Sequence, residues 1–144
     1  MGQKKVIGAH ELIFEDETGI IVFVQNGTLG GPEALDLVDS IAEHADRTSA
    51  KAVFLMTDYR KSDGMTTEAR EAMSTRWGKA RDVHTYSALF GASFALRTIV
   101  NLVTRAAKML SGGKLTSTAV ATETEARAWL AEQQALFRAR SQHP

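Results

Sequence analysis

The chain has 144 residues, 44% hydrophobic and 24% charged, with 17 Lys and Arg against 17 Asp and Glu and no cysteine. This composition fits one ordinary globular domain and excludes a disordered, collagenous or coiled-coil chain. It also excludes disulfides, thiolate metal sites and cysteine nucleophiles, and it lacks the basic excess of a dedicated nucleic-acid binder.

No run of about 18 apolar residues occurs, and residues 1–6 lead into no signal-type apolar segment. A cytoplasmic protein without integral membrane association is therefore the expectation. The neutral total is unevenly distributed: residues 1–46 hold 9 acidic and 2 basic side chains, whereas residues 47–144 hold 8 and 15. Placed on different faces, the two sets would steer a charged partner or favour self-association, a homodimer included; mixed within the fold, they would cancel.

Residues 1–9 read as an N-terminal tail, 10–140 as one domain and 141–144 as a C-terminal tail. Residues 10–15 and 19–24 are short apolar runs separated by a polar turn ending at Gly19, which predicts an antiparallel hairpin. Asn26-Gly27 and Gly30-Gly31 stop the second strand, and Pro32 suits a first helical turn, where an N–H is unpaired anyway. Ala34, Leu35, Val38, Ile41, Ala42 and Ala45 then recur at helical spacing, opposite Asp36, Asp39, Glu43 and Asp46.

Residues 52–57 form a nearly unbroken apolar run, the pattern of a strand buried on both faces. It ends at Asp58, and a polar loop over 59–64 leads to a second helix starting near Thr66 or Thr67, with Ala69, Ala72, Met73 and Trp77 inward. A strand over 86–90 follows and breaks at Gly91. Ser93 then opens the longest helix, which stops before Gly112-Gly113. Residues 115–121 are Thr-rich and read as the last strand. Thr122-Glu123-Thr124-Glu125 matches a capping box before a helix with Ala126, Trp129, Leu130, Gln133 and Phe137 inward. The predicted order is ββαβαβαβα: an α/β domain with a mostly parallel sheet after an opening antiparallel hairpin, covered by helices.

Three segments carry a family resemblance: Leu55-Met56-Thr57-Asp58, Phe90-Gly91-Ala92-Ser93-Phe94 followed by Arg97, and the closing stretch from Thr122 to Leu130. Together with the element order, they resemble the SpoIIAA-like group of STAS-type domains over about residues 10–137. That group shares its fold with bacterial anti-sigma-factor antagonists and, more loosely, with CRAL-TRIO lipid-binding domains. The resemblance implies a bacterial, cytoplasmic regulatory or ligand-binding module rather than an enzyme. In anti-sigma antagonists, a serine in a D-S-S-G loop is phosphorylated and switches partner binding. Here the corresponding stretch is Lys61-Ser62-Asp63-Gly64, which keeps one serine and the glycine and makes Ser62 the candidate phosphorylation site.

Both strand-to-helix passages should open at the carboxyl ends of parallel strands, where α/β folds bind ligands. The N–H groups at a helix start suit an anion, and a cation one turn inside adds charge. The candidate ligand site is thus Tyr59, Arg60, Ser62, Gly91, Ala92, Ser93 and Arg97. Along the long helix, Arg97, Arg105 and Lys108 make a basic face beside a wide apolar arc, and no acidic residue occurs over 83–122. Such a helix fits a partner groove or an anionic surface. The second reading is a carrier of a lipid or other hydrophobic molecule, with a cavity lined by Phe94, Ile99 and Val103.

The third reading is a hydrolase. Gly91-Ala92-Ser93-Phe94-Ala95 differs from G-x-S-x-G by one methyl group, and serine chemistry would need one of His10, His44, His84 or His143 beside Ser93. Capping of the helix is the better use of that serine. Four scattered histidines without cysteine form no zinc pattern, and neither a metal nor another cofactor is expected.

Overall fold

The computed structural model describes residues 2–78 and 83–142, excluding the side chains of Trp77, Gly78 and Gln142. His143 and the inward placement of Trp77 therefore lie outside the described residues. In chain order the elements are β1 (Gln3–Ile7), β2 (His10–Phe14), β3 (Ile20–Leu29), α1 (Gly31–Arg47), β4 (Ala52–Met65), α2 (Thr67–Gly78), β5 (His84–Phe90), α3 (Phe94–Leu110), β6 (Leu115–Val120) and α4 (Glu123–Gln142). The six strands lie in sequential order in one sheet, antiparallel from β1 to β3 and parallel from β3 to β6.

Three expectations are corrected. The expected N-terminal tail contains β1, which pairs with β2 from Gln3↔Phe14 to Ile7↔His10. Gln3, Lys4 and Lys5 are exposed and polar, and lysines protect such an edge strand; Val6 is also exposed, and only Ile7 is buried. Gly8, at φ +62°, closes the turn between the two strands. The expected polar loop over 59–64 is likewise strand: β4 continues to Met65, paired with an equally extended β3. Register shifts between Val24 and Asn26 and between Gly27 and Thr28 let the pairing continue. At the other end, α4 runs two residues into the segment expected as a C-terminal tail.

Parallel strands that advance one by one in the same direction, joined by right-handed crossovers, must place their connecting helices on one face. Accordingly α1, α2 and α3 cover one side of the sheet, where Phe23, Leu37, Ile41, Leu55, Leu89 and Val100 share a core. Helix α4 follows the last strand and folds over the other side, so Ala126 and Leu130 pack with Val22, Met56, Tyr86 and Phe90. Two covered faces explain the unbroken apolar run of β4: Val53 and Leu55 face the three helices, while Met56 faces α4.

Candidate functional site

The carboxyl end of β5 lies beside the middle of β4, with Asp58 paired opposite Phe90 as the last pair between the two strands. The strand alternation that turns Val53, Leu55 and Thr57 toward the three helices also turns Tyr59 inward. Tyr59 is consequently only 6% exposed, not an open loop residue, and burial pushes its phenol well above the ordinary tyrosine range. Arg60 points the opposite way. Its Nε donates to Asp58 Oδ1 (3.0 Å) and its Nη2 to Asp58 Oδ2 (2.8 Å), and its backbone N–H also donates to Oδ1 (3.0 Å). Burial alone would raise the Asp58 carboxyl, but the Arg60 contacts outweigh it and hold it below its usual range. The guanidinium lies 5.2 Å from the Phe90 ring centroid, and the Arg60 stem rests against Gly91.

Ser62 belongs to a different neighbourhood. Its half-buried Oγ accepts from Gln25 Nε2 (2.6 Å) and from the Gly64 N–H (3.1 Å). Gln25 is fully buried; its Nε2 also donates to the Gly64 carbonyl (2.9 Å), while its Oε1 finds no partner among the described residues. Beside it, buried His10 accepts the Asn26 N–H at Nδ1 (2.9 Å), and its Nε2 stands 3.0 Å from Glu33 Oε2. Glu33 Oε1 in turn accepts the Gly30 N–H at the start of α1 (3.1 Å). This polar seam was hidden in the sequence, because Gln25 and His10 sit among apolar strand residues and gain partners only when β2, β3 and β4 align.

Ser93 caps α3: its Oγ accepts the Leu96 N–H (3.2 Å). Three histidines weighed as its base are engaged elsewhere. His10 lies in the seam, His44 stacks on Phe14 at 4.4 Å, and His84 Nε2 is 2.8 Å from Thr116 Oγ1 at the opposite end of β5. Burial holds the His84 and His44 rings below the usual histidine value. Ala92 is half-buried, while Gly91, Ser93, Arg97, Arg105 and Lys108 are exposed. The structure thus joins Arg60 to Gly91 across the β4–β5 rim, ties Ser62 to β3 instead, and withdraws Tyr59 into the interior.

Tyr59 lines a cavity of about 50 Å³ between the sheet and α1–α3, together with Phe23, Leu37, Met73, Val103 and Ala107. Of the three residues expected around a carrier cavity, only Val103 lines it. Phe94 is 79% exposed, and Ile99 packs against the core from a half-buried position. Drug-sized ligand pockets usually enclose roughly 300–1,000 Å³, so this space is far too small for an acyl chain.

A sequential mixed sheet with three helices on one face and a closing helix on the other defines a SpoIIAA-like, STAS-type fold. Among solved structures the chain is similar to an uncharacterized protein of the DUF3478 family with a SpoIIAA-like fold from Shewanella loihica PV-4. The identity is 14%, covering 90% of this chain and 92% of that one, with a TM-score of 0.53. It is also similar to the anti-sigma factor antagonist SpoIIAA in its unphosphorylated form, at 10% identity over 97% of this chain and 98% of that one, with a TM-score of 0.48. No protein-family model matches the chain, and neither does any curated protein. No helix among the described residues is long and apolar enough to cross a membrane.

Proposed function

We propose that this chain is a non-enzymatic regulatory module that recognises a protein partner or a small anionic ligand. Recognition uses the β4–β5 rim and the basic face of α3. The observation that carries the reading is the charge arrangement. Arg97, Arg105 and Lys108 stand exposed without an ion pair among the described residues, on a stretch over 83–122 that has no carboxylate. By contrast, Arg60 is already paired with Asp58 and contributes mainly shape, its guanidinium lying over Phe90. Ser62 offers a modification point in this reading: a phosphoryl group on its Oγ would add charge beside buried Gln25 and compete with the Gly64 hydrogen bond.

The test is recovery of a partner from a lysate of the source organism on wild-type protein and on Arg97→Gln/Lys108→Gln, with identification by mass spectrometry. A protein retained by the wild type and lost by the double variant supports the reading. Equal recovery on both, or esterase turnover abolished by Ser93→Ala in an otherwise folded protein, overturns it.

A further inference from the structure

Four of the six exposed large hydrophobic side chains among the described residues lie on α3: Phe94 (79% exposed), Leu102 (61%), Met109 (83%) and Leu110 (61%). The buried face of the same helix carries Leu96, Val100, Val103 and Ala107. At about 100° per residue, Phe94, Leu102 and Met109 fall on one outward stripe, opposite that face. Arg97, Lys108 and Asn101 border one edge of the stripe, Thr98 and Arg105 stand within it, and the small residues Ala95 and Ala106 border the other edge. The helix thus carries exposed apolar side chains opposite its buried face, and the fold leaves them uncovered.

We infer that this outward face of α3 docks an acidic amphipathic helix of a partner protein. The inference rests on the reading of α3 as a recognition surface and supplies the chemistry of what it recognises. A row of exposed apolar side chains from Phe94 to Met109, about 22 Å long at 1.5 Å per residue, suits a second helix laid along it. The alanine edge lets the partner approach closely, and the cationic edge selects a helix whose facing flank carries Asp or Glu.

Charge decides against the other occupants. Two copies of this chain joined through the same stripe would bring both sets of cations together, with no carboxylate over 83–122 to separate them. An anionic bilayer is generally held by clusters of about 4–8 cations, more than the three on this face. It would also repel the excess carboxylates of residues 1–46.

The experiment is selection of a random peptide library of about 20 residues, enough for a ~30 Å helix, on the full chain. Selected peptides are then measured against Leu102→Ser/Met109→Ser and Arg97→Gln/Lys108→Gln, with Arg60→Gln as a rim control. All four substituted α3 side chains are solvent-exposed, so circular dichroism and thermal melting should match the wild type. The expected result is enrichment of peptides with apolar residues at helical spacing and Asp or Glu on one flank. They should bind either α3 double variant about tenfold or more weakly, and the wild type less well as salt rises.

Peptides insensitive to both α3 variants but weakened by Arg60→Gln overturn this inference and leave the rim as the recognition site. Absence of enrichment overturns the inference and the recognition reading together. Flotation with phosphatidylglycerol vesicles that is lost in Leu102→Ser/Met109→Ser assigns the face to a membrane. A dimer dissociated by the same pair assigns it to a second copy, and either result overturns the proposal.

Discussion

Gly91 has φ +77°, and a Cβ there would stand 2.4 Å from Arg60 Cγ and 3.1 Å from the Arg60 backbone nitrogen. The residue therefore meets two demands at once, a left-handed turn out of β5 and close passage of the β4 rim. Gly91→Ala is expected to cost about 1–3 kcal/mol in urea denaturation, because backbone strain and displacement of Arg60 add together. An unchanged midpoint would sink the account of this packing. The sequence marked Gly91, Ser93 and Arg60 as rim residues from strand-to-helix punctuation. It placed Tyr59 beside them wrongly, because a strand that outlasts its apolar run keeps alternating, and the fourth inward position falls on the tyrosine.

Capping signals at the element scale were local and therefore readable. The Glu125 N–H donates to Thr122 Oγ1 (3.2 Å), as the four-residue box suggests, and the Glu125 carboxylate reaches back to accept from the Thr122 hydroxyl (3.1 Å). What anchors α4 was not readable. Arg127 donates from Nη1 to Glu15 Oε1 (2.9 Å) and from Nη2 to Glu15 Oε2 (2.8 Å), tying the helix to the β2–β3 turn across 112 residues.

The Arg127 hydrogen bonds hold the Glu15 carboxyl below its ordinary 4.5. Its folded-state pKa is thus lower than its unfolded one, so the stabilisation is complete above about 4.5 and is lost as pH falls through the folded value. Glu15→Gln is expected to lower stability by about 1 kcal/mol at neutral pH and to flatten this part of the acid limb. Urea midpoints measured from pH 7 down to pH 3 check both effects, and parallel acid limbs for variant and wild type would refute the linkage.

Over the whole molecule, the opposed charge sets of the two halves partly cancel through Asp39–Arg76 and Glu15–Arg127. Arg97, Arg105 and Lys108 of α3 have no such carboxylate partner among the described residues, so that helix keeps a positive surface. The interior is less completely filled: the cavity of about 50 Å³ borders Val103 and Ala107. Val103→Ile adds one methylene toward that space and should raise stability by about 0.5–1 kcal/mol, against the loss usual for overpacking a filled core. A destabilised variant in urea denaturation would mean that the neighbouring side chains leave no room there.

The sequence by itself determined the order of helices and strands from β2 onward, the two-faced burial of β4 and the cap at Ser93. It did so because periodicity, turn residues and capping act within a few positions. Strand β1, the shared extension of β3 and β4, the Gln25–Ser62 seam and the uncovered stripe of α3 were decided by tertiary structure. A polar edge strand satisfies its backbone only through a neighbour, a buried amide only through partners on other strands, and a helix with apolar residues on two sides gives no local sign of which side the sheet will take.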